Sequence, residues 1–298
     1  MKLRKLITVA MACIMVFSLA ACGSENTQED AAATETTTEE NKAEEVEETA
    51  EALSGTVVIT GSTSVEKILT DMIDEFTALN PDVTIEYTGN GSSAGIKDTK
   101  AGINNIGASS REVKDEEKED TLAEEVFAYD GIAAIVNPAN EVQDITMQQL
   151  SDIYTGKITN WSEIGGADAE IFIVSREESS GTRSAFEELT GVAEAGGLTS
   201  SAAVSEGNGP VQAAVAGNEN AIGYVSFSFI DDTVKALKVD GVEPTAELAK
   251  AGEYKLSRPF LFVYYEDKAT DAGLAFLEFA LSEEGQICVE DHDAITVD

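Results

Sequence analysis

The sequence predicts an α/β fold of two lobes, each a mostly parallel sheet flanked by helices, with two crossing strands as the hinge between them. Three observations carry this. Strand-like and helix-like segments alternate from about residue 55 onward, a second run of the same alternation begins near Asn137-Pro138, and two apolar stretches, 131–136 and 221–225, stand where the chain must pass between the runs. Such alternation builds parallel strands with helices on both faces and puts binding sites at the carboxyl ends of the strands.

The first strand is read at 56–60. After it Val65, Ile68, Leu69, Met72, Ile73 and Phe76 recur at i, i+3 and i+4, which gives one buried helical face. Strands at 83–88 and 105–109 flank a short helix near 93–102. The second run offers a helix at 146–154, a strand at 171–174, and helices at 180–189 and 210–216, before the return crossing at 221–225. A strand at 259–264 and a helix at 270–281 close the pattern. The boundaries that follow are 55–134 for the first part of lobe 1, 135–223 for lobe 2 and 224–298 for the return part of lobe 1.

Gly, Ser and Thr cluster where three of these strands end: Gly61-Ser62-Thr63-Ser64, Gly89-Asn90-Gly91-Ser92-Ser93-Ala94-Gly95 and Ser179-Ser180-Gly181-Thr182. A helix start offers unpaired N–H groups and the positive end of the macrodipole, and hydroxyls add donors, so each junction suits an anion. Helix capping is the plainer explanation of any single cluster, and Thr63 with Glu66 or Ser184 with Glu187 fits the capping box. Arg176, just before the third cluster, tips the balance toward an oxyanion because a cap needs no guanidinium fork.

Taken in order, Gly61-Ser62-Thr63-Ser64, Ile106-Gly107-Ala108-Ser109-Ser110-Arg111, Asp130-Gly131-Ile132-Ala133, Thr155-Gly156-Lys157-Ile158-Thr159-Asn160-Trp161, Ser180-Gly181-Thr182-Arg183, Ala221-Ile222-Gly223-Tyr224 and Ser257-Arg258-Pro259-Phe260 resemble the PstS-type phosphate-binding proteins. The resemblance runs from about Gly55 onward. It implies a type II periplasmic-binding-protein clamp, no enzymatic activity and no cofactor, with inorganic phosphate as ligand and the permease of an ABC importer as partner. Carried over position by position, it assigns Thr63, Ser64, Ser92, Arg176, Ser180, Gly181 and Thr182 to phosphate. Ser110 also falls at a ligand position, but well-known members carry an aspartate there. Asp130, beside Gly131 at the lobe crossing, is the candidate for the missing carboxylate, with a turn-forming Asp before Gly as the alternative. Asn208, between two glycines, either caps the helix at Pro210 or donates to the ligand, and the cap is the favoured reading.

Rival functions leave weaker traces. Gly91-Ser92-Ser93-Ala94-Gly95 matches the nucleophile elbow of serine hydrolases, with His292 far downstream as a base for Ser93. His292 is the single histidine, however, and lies among Glu290, Asp291 and Asp293, as a solvated residue would. No His-x-Glu or Asp-x-Asp-x-Asp spacing offers a metal site. A surface lipoprotein with no transport role is the remaining alternative.

The chain opens with Lys2, Arg4 and Lys5, an apolar stretch to Ala21, and then Leu19-Ala20-Ala21-Cys22-Gly23, so residues 1–21 read as a lipoprotein signal peptide and Cys22 as the lipidated anchor to the outer face of the cell membrane. Cys13 would leave with the leader, and Cys288 alone can form no intrachain disulfide. Residues 22–54 are acidic and poor in large apolar side chains, which predicts an extended tether, with a solvated helix over 39–53 as the alternative. In all, 19 Lys and Arg face 56 Asp and Glu. That balance argues against nucleic acid, which needs clustered basic residues, and the expected state is a monomer. It does not exclude an anionic ligand, since net charge is screened over roughly 8 Å while donors in a desolvated cleft are not.

Overall fold

The computed structural model describes residues 52–297. The expectations for the leader, for Cys22 and for all of the tether before residue 52 therefore lie outside the described residues. Among those described, no helix is long and apolar enough to cross a membrane.

The first half alternates as its spacing predicts: β1 (Gly55–Gly61), α1 (Glu66–Leu79), β2 (Val83–Gly89), α2 (Ser92–Ala101) and β3 (Ile106–Ser109). Helix α1 buries Ile68, Leu69, Met72 and Phe76, the face its apolar spacing marks out, and stops at Asn80, before Pro81. Strand β4 (Leu122–Val136) then runs through both halves of the molecule. Beyond it come β5 (Asp144–Ile145), α3 (Met147–Tyr154), β6 (Phe172–Arg176), α4 (Gly181–Leu189), β7 (Ala203–Ser205), α5 (Asn208–Ala216) and β8 (Ala221–Ser226). The chain continues through β9 (Lys235–Ala236), β10 (Lys238–Val239) and α6 (Ala246–Lys250), and ends in β11 (Ser257–Tyr265), α7 (Asp271–Leu281) and α8 (Glu283–Glu290).

The main sheet has the order β2-β1-β3-β11-β4-β8-β6-β7, with β9 also on β4. Parallel pairs lie toward its two ends, β1 with β2 and β3, and β6 with β7 and β8. Antiparallel pairs lie at its centre, where β4 meets β11 on one side and β8 on the other. Two apolar cores follow. One gathers Val57, Ile59, Ile68, Phe76, Phe127 and Phe262 with α7 and α8. The other gathers Ile132 to Val136, Tyr154, Trp161, Phe186 and Tyr224. Residues on β11 alternate as a strand must, with Phe260 and Phe262 in the first core and Leu261 and Val263 packed with Ile96 of α2 on the opposite face. Helices thus cover both faces of the first lobe's sheet.

Strand β4 is one crossing, reached from Leu122 rather than from Gly131. The other differs from its predicted place. Ala221, Ile222, Tyr224 and Val225 belong wholly to the second core, as do Phe227, Leu237, Tyr254 and Leu256, and the chain returns at Ser257 into β11. The hydrophobic run at 221–225 reads as a crossing because it is apolar throughout, yet that is equally what a buried interior strand requires.

Register decides what the strand ends present. Gly61 pairs with Gly89 and with Ala108, so the loops after β1, β2 and β3 emerge side by side. Arg176 pairs with Ser205, which does the same for the loops after β6 and β7. Gly61 is needed at this convergence. Its φ is +144°, and a Cβ there would stand 2.0 Å from the Ala108 carbonyl oxygen.

Candidate functional site

Each cluster takes up a helix or turn start, and the hydroxyls left over meet across the lobes. Ser62 Oγ accepts from the Ser64 N–H and caps the turn after β1, so Thr63 is freed from the capping box that its spacing with Glu66 allows. Thr63 Oγ1 instead accepts from Arg176 Nη2 at 3.0 Å and from Asn208 Nδ2 at 3.3 Å. Ser64 Oγ lies 2.8 Å from Thr182 Oγ1 and accepts from Asn208 Nδ2 at 3.1 Å. Ser180 does cap α4, its Oγ accepting from the Arg183 N–H, while Ser184 donates to the Ser180 carbonyl.

Ser92 and Ser110 are fully buried neighbours. Ser92 Oγ accepts from the Ser110 N–H at 3.0 Å and sits 3.2 Å from Ser110 Oγ. The start of α4 lies against them: a Cβ on Gly181 would come within 2.2 Å of Ser92 Oγ and 2.7 Å of Ser110 Oγ. Only glycine permits that approach. The backbones also join, with Ser93 N–H donating to the Ser179 carbonyl and Ser179 Oγ to the Asn90 carbonyl. A cavity of about 420 Å³ lined by Thr63, Asn90, Glu177, Ser179 and Gly207 opens beside this contact.

Arg176 is 1% exposed. Its Nε and Nη2 form a fork on Glu177 at 2.9 and 2.8 Å, and its Nη1 is buried with no protein partner. Glu177 in turn accepts from the Gly207 N–H. Burial raises the Glu177 carboxyl, but the hydrogen bonds and charge of Arg176 and the Gly207 N–H outweigh it and hold the group below its ordinary value. A carboxyl lowered on folding stabilises the fold above the ordinary carboxylate range, and that contribution is lost as pH falls through the lowered value. Glu177→Gln is therefore expected to flatten the loss of stability below about pH 4.5, read as the urea midpoint against pH. An unchanged acid limb would show that Glu177 is not linked to folding.

Asp130 is fully buried. Its Oδ2 accepts from Arg258 Nη2 at 2.9 Å and its Oδ1 from the Phe227 N–H at 3.3 Å, so protein donors engage both oxygens. Burial pushes this carboxyl up, and Arg258 opposes the shift.

Of the nine expected site residues, Thr63, Ser64, Ser92, Ser110, Arg176, Ser180, Gly181 and Thr182 thus gather at the strand ends, all buried except the half-buried Thr63, and Asp130, in the middle of β4, is tied to them through Arg258 and Ser64. Two further participants enter, Asn208 in a role other than the favoured cap and Arg258 with no role expected of it. Asn208 caps nothing: Gly207 holds the cap position of α5 without a side-chain bond, while the Asn208 amide ties Thr63 and Ser64 to the Ser226 N–H. Its place between two glycines at a strand end was the available signal. Arg258 also enters, donating to Ser64 Oγ. The hydrolase pair does not assemble. Ser93 Oγ accepts from Arg111 Nη2, and His292 Nε2 meets Asp71 of α1. Among the described residues, no group of three His, Cys, Asp or Glu side chains could hold a metal.

Residues 31–284 match the family model described as the PBP superfamily domain. The chain is 34% identical over 297 residues to the phosphate-binding protein PstS of Bacillus subtilis, an alignment spanning 96% of this chain and 91% of that one. Its fold is similar to that of a putative phosphate ABC transporter substrate-binding protein with bound phosphate from Clostridium perfringens, with a TM-score of 0.80 and 51% identity over 82% of this chain and 100% of that one. An ABC-type phosphate transport receptor from Vibrio cholerae gives a TM-score of 0.69 and 35% identity, over 80% of this chain and 99% of that one. The first relative is named as a phosphate-binding protein and the two solved structures as phosphate-transport binding proteins or receptors.

Proposed function

We propose that this chain, which belongs to the PstS-type phosphate-binding proteins of the PBP superfamily, binds inorganic phosphate between its lobes and hands it to the permease of an ABC importer. One observation carries the reading: a guanidinium, Arg176, buried with a free N–H among hydroxyls from both lobes. Phosphate oxygens would take donors from Thr63, Ser92, Ser110, Ser180 and Thr182, from the N–H groups opening α4 at Gly181, and from Arg176, with Ser64 serving the site by orienting the Thr182 hydroxyl. Asp130 belongs to the site as the partner of Arg258. Ligands on both lobes would couple binding to closure, with 55–131 and 257–297 as one lobe and 132–256 as the other, joined through β4 and β11.

Calorimetry of the purified chain against phosphate and sulfate tests this directly. Saturable one-to-one phosphate binding is expected, together with a rise in denaturation midpoint equivalent to about 2.7 kcal/mol at a hundredfold the Kd. The absence of both effects would remove phosphate as the ligand.

The anchor belongs to the same reading. Cys22 would carry the lipid that holds the monomer at the outer face of the cell membrane, with residues 23–54 as tether. Cys22→Ser is expected to move the protein from the membrane fraction to the medium, or to leave an uncleaved precursor. Correctly processed wild-type protein that carries no lipid would refute the anchor.

A further inference from the structure

We propose that Arg258 is a second guanidinium ligand of the bound oxyanion and that Asp130 is its positioning residue, so that the anion is gripped by two arginines brought from different elements. The proposal rests on the phosphate-binding reading above and adds a residue to it.

Strand pairing sets the geometry. Arg258 of β11 is the register partner of Asp130 of β4, at the place where β4 passes from one core to the other. Directly paired residues on an antiparallel ladder bring their side chains together, which explains the 2.9 Å ion pair. The Phe260 ring, 5.4 Å from the guanidinium carbon, packs beside the same group. Arg258 is therefore held from two directions.

Its donors are only partly used. The side chain is 2% exposed, yet its hydrogen bonds run through Nη2, to Asp130 and to Ser64 Oγ. Its Nε and Nη1 are buried with no protein partner. A guanidinium presents five N–H donors in a fixed fork, and burying them unpaired is costly. Arg176 shows the same pattern, with Nη1 unpartnered. Two buried forks with spare donors flank one loop, Arg176 on Thr63 and Arg258 on Ser64, and the Asn208 amide bridges those two hydroxyls.

Hydrogen-bond direction supports the assignment. Ser64 Oγ accepts from both Asn208 and Arg258, which fills its lone pairs, so its own proton goes to Thr182 Oγ1. The Thr182 proton is then left for the ligand. Arg258 therefore adds the three unpaired N–H donors on Nε and Nη1 and, through Ser64, turns the Thr182 hydroxyl toward an acceptor. Arg176 and Arg258 also repel each other, and a tetrahedral oxyanion of charge near minus two between them would relieve that repulsion.

The test is calorimetry with inorganic phosphate on the unmodified chain, Arg258→Lys, Asp130→Asn and the double variant Asp130→Asn/Arg258→Gln, each with its ligand-free denaturation midpoint. Removing both members of the buried pair avoids a lone buried charge, so the double variant keeps the proposal testable where a single truncation does not fold. The double variant is expected to bind about thirtyfold or more weakly. Arg258→Lys, which keeps the charge and loses the fork, should fall between it and the unmodified chain. Asp130→Asn should lower affinity while Arg258 remains. If the unmodified chain binds phosphate and the double variant stays within about threefold of it, Arg258 is not a ligand and the proposal fails. If the unmodified chain itself does not bind, the phosphate reading fails first. Arg258→Lys binding phosphate as tightly as the unmodified chain would likewise overturn the role of the fork.

Discussion

Arg176→Ala is expected to weaken phosphate binding by about 2–5 kcal/mol, the scale for truncating one partner of a buried, hydrogen-bonded charge pair. The residue is 1% exposed and spans the lobes through Thr63, so its loss removes a charged donor from the anion and a tie between the two halves. It also leaves Glu177 without its counter-charge while the Gly207 N–H still holds that carboxylate near the site. Repulsion is then added to lost attraction. Calorimetry with phosphate checks the figure, and an affinity loss under about tenfold, or 1.4 kcal/mol, would place Arg176 outside the site. Arg183 is the internal control. It lies in the first turn of α4, paired with Glu187 and with the Arg176 carbonyl, and Arg183→Ala should cost much less.

Asp130→Ala is expected to lower folding stability by about 3–5 kcal/mol, because it strands Arg258 as a buried charge at the lobe crossing. The Phe227 N–H would lose its acceptor as well. Urea denaturation without phosphate measures the loss. Adding Arg258→Met to Asp130→Ala should recover a large part of it, since the desolvation cost of a lone guanidinium goes with the charge. A single variant as stable as the unmodified chain would show that water reaches Arg258 in solution.

The elements were legible where neighbours in the chain decide them. Helix α1 announces itself by apolar spacing and ends before a proline, and α3 carries a complete capping box between Thr146 and Gln149. Strand β4 was legible only in its second half. Residues 132–136 are apolar and buried on both faces, whereas 122–126 carry Glu124 and Glu125 and become strand by pairing with residues 261–265 of β11. Helix α8, rich in acidic residues and holding Gly285, has little apolar face to read and depends on Ser282, which caps it, and on packing of Val289 into the first core.

Within the site the same division holds. That Thr63, Ser64, Ser92, Ser180 and Thr182 stand at strand ends, beside Arg176, follows from composition and order along the chain, and the sequence alone determined the fold class and the anion-seeking chemistry of those ends. Whether a given hydroxyl caps a helix or faces across the lobes did not follow. Ser180 caps and Thr63 does not, though both lie in similar contexts, because the choice depends on which donors arrive from elsewhere. Asn208 and Arg258 show why: each reaches Ser64, from 144 and 194 residues along the chain. Periodicity and capping are short-range physics, set within a turn or two, whereas the partner of a buried polar group is set by register and packing between distant strands. Only the tertiary structure could bring Arg258 to Asp130 and Ser64, since the cost of leaving those groups unpaired appears only once water has been excluded from around them.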